Sequence, residues 1–474
     1  MIRATIVAAA LAMLAVTALP AEVPRDPREL VFPPIALTTP EPQEAVLSNG
    51  IRVLVFENHD VPIVSLAAHI SMGSRYLSLA ERPAYRLLSR LWGDGGIGDL
   101  SPAAADSAKA ALGLTLSTRA DEAEAVVEAA MTREDFAACL PIWRDLLVAP
   151  GWDEARLDRA KAQVLKDERG INDSPNRLAR AVFDRLLYGP RTPQGHVCTA
   201  AEVEAVSAAE LQALHARYVV PARTVVGVGG DLGLAEAVAC LEATLGSWTT
   251  AGDPPPLTVW PVEPEPESGV FWLPQDLEQC HVRMGRFLPG LATTSPEYAR
   301  AMLVSFGVGY SRVYYATRTA GLSYGSLTRL VIGRDRTYLE FLGATSAETL
   351  GELVAVARDE LARVHAEPLD ANELGAARTF LTGSLISRLE TAGDIIRMTL
   401  RDIATGMPPG YSQGLVARYE AVTVEDLASG ARAWMDFGPD PVVLVVGQPA
   451  NGLADLEALG LGPVRVLEPI RFGE

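Results

Sequence analysis

The chain has 474 residues, and its 59 Asp and Glu against 41 Lys and Arg give it a formal net charge of −18. A chain of this length is too long for one hydrophobic core, so we expect two or more domains. The acidic balance argues against anionic partners, namely nucleic acid and acidic membrane surfaces.

Residues 1–21 have the pattern of an export signal. Arg3 precedes an apolar run from Ile6 to Leu19, and the small residues of A-L-P-A precede Glu22. The run is shorter than a typical spanning helix, and no later apolar stretch reaches about 18 residues, so we expect no membrane span after signal removal. The pattern predicts a periplasmic or secreted protein.

A proline-rich arm, residues 22–43, precedes the first predicted strands. Ala45 to Phe56 reads as a β-hairpin, with Asn49-Gly50 at its tight turn. Val61 to Ile70 predicts a further strand. Residues 123–131 leave two alternatives open, because their Ala and Glu content favours a helix whereas the family resemblance given below favours a strand.

Ala84 to Trp92 predicts an amphipathic helix with a buried apolar face. Arg86, Ser89 and Arg90 occur at i, i+3 and i+4, so they lie together on the polar face. Taken alone, such residues are typical of the solvated side of a helix. Guanidinium groups only donate hydrogen bonds and stay charged, so they repel a cation, and a serine cannot act as a carboxylate base.

This stretch resembles the inverted-motif zinc peptidases, the family of pitrilysin, insulin-degrading enzyme and the mitochondrial processing peptidase. In active members, a helix after a strand that ends in Gly-Ser carries H-x-x-E-H, which supplies two zinc ligands and a general base. Here Gly73-Ser74 precedes the helix, and the same spacing reads Arg86-Leu87-Leu88-Ser89-Arg90. The resemblance implies the family's scaffold with a degenerate metal site.

Active relatives supply the third zinc ligand, a glutamate, from a later helix, which corresponds here to Asp153 through about Gly170. The matching position is Asp167, followed by Glu168. On an exposed helix either residue is more often a solvated charge, and one carboxylate cannot hold zinc. We therefore expect no metal and no cofactor in this chain, with zinc present only in an active partner.

The second half of the chain resembles the first in outline. Residues 249–268 are rich in proline and acidic residues and predict a linker. The segment from Glu210 to Gly227 resembles the later segment from Asp426 to Gly447, and this internal repeat indicates duplicated domains. We therefore divide the mature chain into domains at residues 22–248 and 269–474.

Two motifs of the second half carry the closest resemblance to the family. Phe306 to Arg312 resembles its loop L-G-G-G-x-x-S-R, and Gly321-Leu322-Ser323-Tyr324-Gly325 matches its G-L-S-Y-G. The resemblance implies that Arg318 and Tyr324 bind the main chain of a peptide. Gly307 and Gly309 would form the adjoining loop.

Gly410-Tyr411-Ser412-Gln413-Gly414 matches the nucleophile elbow of serine hydrolases, but its context is wrong. Met407-Pro408-Pro409 precedes it where a buried strand is required, and the last histidine, His365, comes before the serine instead of after it. The four cysteines are widely spaced, which favours buried free thiols and leaves up to two disulfides open. These cysteines are Cys139, Cys198, Cys240 and Cys280.

The resemblance implies an α+β fold of two homologous domains, each a mostly antiparallel sheet with helices on one face, forming half of a clamshell. The implied function is a non-catalytic subunit that forms a heterodimer with an active H-x-x-E-H peptidase and contacts peptide or unfolded-protein substrates. One alternative remains open at this point, namely a stand-alone periplasmic peptide-binding or scaffold protein. An active peptidase with a rearranged metal site would need ligands that the sequence does not offer.

Overall fold

A computed structural model describes residues 41–474 except 251, 253, 255, 260–262, 409, 449–451 and 474. The expected export signal, most of the proline-rich arm and part of the predicted linker therefore lie outside the described residues. Within the described part of the chain, no helix combines the length and apolar character needed to cross a membrane.

The first half forms a six-stranded sheet in the order β1-β2-β6-β3-β5-β4. Every neighbouring pair is antiparallel except β2 and β6. The strands are β1 (Gln43–Val46), β2 (Arg52–Glu57), β3 (Ile63–Ile70), β4 (Thr115–Ala120), β5 (Ala125–Thr132) and β6 (Thr224–Gly230). The helices are α1 (Arg82–Leu91), α2 (Pro102–Ala111), α3 (Phe136–Val148), α4 (Glu154–Asn172), α5 (Pro175–Tyr188), α6 (Ala200–Ala205), α7 (Ala208–Tyr218) and α8 (Leu234–Leu245).

The second half repeats this plan in a sheet of order β12-β7-β11-β8-β10-β9, in which β12, β7 and β11 are parallel and the other pairs antiparallel. Its strands are β7 (Gly269–Pro274), β8 (Gln279–Leu288), β9 (Leu327–Ile332), β10 (Thr337–Ser346), β11 (Val442–Gly447) and β12 (Val464–Val466). Its helices are α9 (Tyr298–Val308), a π-helical turn (Gly309–Tyr314), α10 (Tyr315–Thr319), α11 (Leu350–Ala366), α12 (Ala371–Ile386), α13 (Ala392–Ala404), α14 (Leu415–Ala421), α15 (Val424–Trp434) and α16 (Gly452–Ala458).

Strand alternation places the main core of the first half on one face of its sheet. Val64, Leu66 and Ile70 of β3 point to that face and are almost completely buried. Leu87 and Leu91 of α1 pack into the same core, at the four-residue spacing that keeps them on one side of the helix. Burying this side of α1 leaves its polar side facing outward.

The two halves exchange one helix each across their sheets. Phe183 of α5, which belongs to the first half, is buried in the apolar cluster of the second sheet, where a Cβ at Gly285 would lie 2.5 Å from its ring. In the reverse direction, α13 of the second half packs on the first sheet, where a Cβ at Gly227 would lie 2.7 Å from Ile396. The described residues from 41 onward consequently form one compact unit.

The predicted α+β class and the mostly antiparallel sheets are confirmed, with the addition that each sheet has an exchanged helix on its second face. Residues 123–131 prove to be strand, since β5 pairs with β3 on one side and β4 on the other. The hairpin also forms as expected, and the four cysteines are free thiols. The placement of the domain boundary at residues 249–268 stays a prediction.

The predicted loop at Gly307 and Gly309 is wrong, because both residues lie within a continuous helical segment and are buried. A Cβ at Gly309 would overlap the carbonyl oxygen of Thr328 in β9, so this glycine permits close contact between helix and strand. A Cβ at Gly307 would lie 3.1 Å from Leu369. The structure therefore gives both glycines a packing role.

Candidate functional site

Two helices bring the predicted degenerate residues together. Helix α1 begins just after a short 3-10 turn whose capping box joins Ser78 and Glu81, and its first turn contains Pro83, a favourable residue there. Helix α4 begins at Asp153, whose side chain accepts a hydrogen bond from the Arg156 amide at 2.9 Å. The polar side of α1 faces the carboxylates near the end of α4.

Two of the three arginines of α1, Arg86 and Arg90, each meet a carboxylate of α4. The Nη2 of Arg86 lies 2.6 Å from Oε1 of Glu168, and Arg90 donates to Asp167. Ser89 donates its hydroxyl to the Arg86 carbonyl at 2.9 Å and forms no part of this charge pairing. The two positive charges of Arg86 and Arg90 are therefore balanced by the two carboxylates of α4.

Glu168 is the buried member of the group. Its side chain is 2 % exposed, whereas that of Arg86 is 48 % exposed. Burial raises the pKa of Glu168, and the positive charges of Arg86 and Arg177 act against that rise. Its Oε1 accepts no hydrogen bond of good geometry within the described chain, so Arg86 acts mainly as a counter-charge.

The helices line a cleft of about 740 Å³. Its lining includes five arginines, namely Arg82, Arg86, Arg90, Arg177 and Arg180. Arg180 donates to Asp184 at 2.6 Å, and burial raises the pKa of that aspartate to about 6. Burial also raises the pKa of Cys198 to about 11, so its thiol is protonated at neutral pH and is a poor nucleophile.

Zinc does not fit this set of side chains. The positions that hold its two histidine ligands in active relatives are guanidinium groups, which have no lone pair to offer and already pair with the nearby carboxylates. Within the part of the chain that the structure describes, no three His, Cys, Asp or Glu side chains are grouped to hold a metal ion. The guanidinium and carboxylate groups of the cleft are suited to binding and orienting a polar group.

Arg318 and Tyr324 come together on the second half. Gly321, with φ of 72°, ends the helical segment and turns the chain back, so that the Arg318 guanidinium lies 4.5 Å above the Tyr324 ring. Arg318 donates to the Tyr314 hydroxyl at 2.7 Å, and Tyr324 is 84 % exposed. Neither residue lines the cleft beside α1, whose lining residues all lie between residues 74 and 198.

Two residues of the site, Glu168 and Arg82, were harder to identify from the sequence alone. Glu168 follows Val164 by four residues and precedes Ile171 by three, a spacing that places it on the buried face of α4. Arg82 lies one turn before Arg86 and also faces the cleft, where burial lowers its pKa. The helical spacing could have identified both residues, but their partners could not be read from the sequence.

The sequence and the fold of this chain resemble those of known peptidases. Residues 205–381 match the family model described as the peptidase M16 inactive domain. An uncharacterized zinc protease of Mycobacterium tuberculosis is 26 % identical over 281 residues, which cover 57 % of this chain and 62 % of that protein. The chain is therefore similar to the pitrilysin-like M16 peptidases.

A further relative covers more of this chain. The uncharacterized zinc protease YmxG of Bacillus subtilis is 21 % identical over 348 residues, which cover 72 % of this chain and 83 % of that protein. This chain spans about three fifths of the length of the mycobacterial relatives that it matches, 62 % in each case.

Solved structures show that the M16 fold is retained. The peptidase M16 inactive domain from Pseudomonas fluorescens has a TM-score of 0.75 at 20 % identity, covering 90 % of this chain and 99 % of that one. The periplasmic protease PqqL of Escherichia coli has a TM-score of 0.76 at 13 % identity, covering 90 % of this chain and 47 % of that one.

Proposed function

We propose that this chain is a non-catalytic subunit of a periplasmic, pitrilysin-like zinc peptidase. It forms part of the chamber wall and contacts the substrate peptide, while an active partner with H-x-x-E-H supplies zinc and the general base. The observation that carries the proposal is the pairing of Arg86 with Glu168 and of Arg90 with Asp167, which fills the two histidine positions of the family motif with guanidinium groups that cannot bind zinc.

The substrate role rests on Arg318 and Tyr324. Both side chains are exposed, and a guanidinium with a phenol can bind peptide carbonyls without reading the side chains of the peptide. Their separation from the cleft beside α1 supports a two-chain site, since a peptide held by this pair needs a catalytic centre on another chain. The periplasmic location is supported by the export-like residues 1–21 and by the structural similarity to PqqL, a periplasmic protease.

The test combines this chain with an active M16 homologue from the same host. Arg318→Ala with Tyr324→Phe should lower peptide turnover about ten-fold or more, because one hydrogen bond to a charged donor contributes about 1.5–3 kcal/mol. Complex formation should not change. Arg191→Ala, which removes an exposed arginine far along the chain, serves as the matched control.

Unchanged turnover in an intact complex would remove the substrate role of this pair. If no H-x-x-E-H homologue associates with the chain, the stand-alone peptide-binding alternative becomes the better one. Location is tested by sequencing the amino terminus of host-purified protein, where a start near Glu22 is expected and a start at Met1 would count against export.

A further inference from the structure

Two of the arginines that line the cleft beside α1 have no carboxylate partner in the part of the chain that the structure describes. The other three each pair with a carboxylate of α4 or α5. Arg82 instead donates to the Thr192 carbonyl at 3.4 Å, and Arg177 donates to the Asp167 carbonyl at 2.7 Å. A guanidinium has five N–H donors, so both groups keep donors for a further acceptor.

Arg82 is the less well compensated of the two, because it is half-buried whereas Arg177 is exposed. Burial lowers the pKa of Arg82, and the positive charge of Arg86 acts in the same direction. Glu122 opposes this effect, but it accepts a hydrogen bond from Gln194 at 2.8 Å and forms no ion pair with Arg82 within the described chain. A half-buried cation without a counter-charge is unfavourable, and a bound anion would remove that cost.

The other carboxylates that line the cleft already have partners. Asp121 pairs with Arg119 at 2.5 Å and also accepts hydrogen bonds from two main-chain amides, at 3.0 and 3.1 Å. Asp184 accepts from Arg180 at 2.6 Å, and Glu168 pairs with α1. The missing counter-charge is therefore one that a ligand can supply.

The size and the walls of the cleft fit a short peptide segment. Its volume of about 740 Å³ lies within the range of about 300–1,000 Å³ that is usual for ligand pockets. The apolar side chains of Ile171, Ala181 and Val197 line it beside the arginines. A matching ligand therefore carries a carboxylate next to apolar groups.

We propose that the cleft beside α1 binds a carboxylate of a peptide, with Arg82 as its main contact and Arg177 as a second, more exposed positive charge. The carboxylate belongs either to an acidic side chain or to the carboxyl terminus of the peptide, since a guanidinium binds both in the same way. This site lies on the first half and is distinct from Arg318 and Tyr324. The inference rests on the proposed function only in taking a peptide as the carrier of the carboxylate.

The experiment measures fluorescence anisotropy of three pentapeptides, labelled at the amino terminus with an uncharged dye, with the purified full chain alone. Ser-Ala-Glu-Val-Ala with an amidated end has only a side-chain carboxylate, and Ser-Ala-Gln-Val-Ala with a free end has only the terminal one. Amidated Ser-Ala-Gln-Val-Ala has neither. At least one of the first two should bind about ten-fold more tightly than the third, and the one that does identifies the source of the carboxylate.

The variants test which arginine binds the carboxylate. Arg82→Gln should weaken binding of the tighter peptide about ten-fold, and Arg177→Gln about three-fold because Arg177 is exposed. Arg82→Gln should not lower the unfolding midpoint of the free chain, since it breaks no ion pair within the described residues. Arg336→Gln, at a surface arginine of the second half that pairs with Glu263, is the control and should leave binding unchanged.

Three results would overturn the inference. They are equal binding of all three peptides, unchanged binding by Arg82→Gln, and a lowered unfolding midpoint in Arg82→Gln, which would mean that the fold itself compensates this charge. If a carboxylate peptide binds but the complex with the active homologue does not form, the proposed function fails alone. If turnover in that complex depends on Arg318 and Tyr324 while the three peptides bind equally, this inference fails alone.

Discussion

Arg86 and Glu168 form an ion pair between two helices, with 2.6 Å between the guanidinium Nη2 and the carboxylate Oε1. The half-exposed arginine lies at the first histidine position of the family motif, and the buried glutamate faces it from α4. Because Glu168 is buried and Asp167 is 28 % exposed, we expect Glu168 rather than Asp167 to be the carboxylate that a metal at this place would meet.

The first prediction concerns zinc. The unaltered chain should retain no stoichiometric zinc after dialysis and should cleave no peptide alone. Combined Arg86→His, Ser89→Glu and Arg90→His should produce near-equimolar zinc binding, because neutral imidazoles then replace guanidinium groups opposite a carboxylate. Elemental analysis provides the measurement.

Two additional substitutions sharpen this test. Glu168→Gln, added to the triple variant, should abolish zinc retention, whereas Asp167→Asn should leave it intact. If Asp167→Asn abolished zinc retention and Glu168→Gln left it intact, Asp167 would be the third ligand position instead. Zinc in the unaltered chain, together with chelator-sensitive cleavage, would refute the non-catalytic proposal.

The second prediction concerns Arg86→Ala. Without this counter-charge the pKa of the buried Glu168 should rise further above its unfolded value. A carboxylate with a raised folded pKa stabilises the fold most at low pH, and this stability is lost as pH rises through that pKa. We therefore expect Arg86→Ala to cost about 1–2 kcal/mol at pH 8 and less at pH 5, since Arg86 is half exposed.

Denaturant unfolding at both pH values measures this effect. Glu168→Gln should rescue Arg86→Ala at pH 8, because it removes the buried charge. Arg90→Ala is the matched control, since its partner Asp167 is 28 % exposed and should tolerate the loss. Equal losses in the free energy of unfolding for Arg86→Ala and Arg90→Ala would contradict the conclusion that Arg86 compensates a buried charge.

The third prediction concerns His215. This residue packs edge-on against Trp92 and Trp152, donates to the Leu147 carbonyl at 3.0 Å, and is buried so that its pKa is lowered to about 4. A histidine with a lowered folded pKa stabilises the fold above its unfolded pKa of about 6.5, and this stability is lost as pH falls towards 4. The free energy of unfolding should fall by about 2 kcal/mol between pH 7 and pH 5 from this group.

His215→Gln should remove that part of the pH dependence, whatever its effect on stability at neutral pH. His365→Gln, at an exposed histidine, should leave the dependence unchanged. If both variants keep the slope of the unaltered chain, another group is responsible for it.

The fourth prediction concerns the exchanged helices. Phe183→Ala lies in the first half but should destabilise the second sheet, because the ring fills the core beside Gly285. Truncating a buried phenylalanine costs about 3–5 kcal/mol. In Phe183→Ala, hydrogen exchange should show loss of protection in β11 as well as in the first half. In Ile396→Ala, it should show loss of protection in β6 as well as in the second half. Protection that changes in one half only would mean that the halves unfold independently.

Local patterns predicted much of this structure. The spacing of Arg86, Ser89 and Arg90 placed them on one helix face, and Asn49-Gly50 marked the hairpin. The composition of residues 123–131 did not indicate their structure. Their Ala and Glu favour a helix, but β5 pairs with a strand on each side. Glycine content misled at Gly309, which serves helix–strand contact instead of a loop.

Long-range features could not be predicted in this way. The partners of Arg86 and Arg90 lie on another helix, α4. The exchange of α5 and α13 joins segments that are far apart in the chain, and neither segment shows in its own sequence which sheet it covers. Such relationships depend on tertiary packing rather than on residue spacing.

The exchange of α13 also has a consequence for the order of synthesis. All strands of the first sheet have emerged once residue 230 is made, but the face that contains Leu54 and Phe56 of β2 is covered only when residues 392–404 follow. At about 5–20 residues per second, the interval is on the order of 10–30 s. During that time one apolar face of the first sheet is uncovered. A chaperone, or delayed folding of this half, must then prevent its contact with other chains.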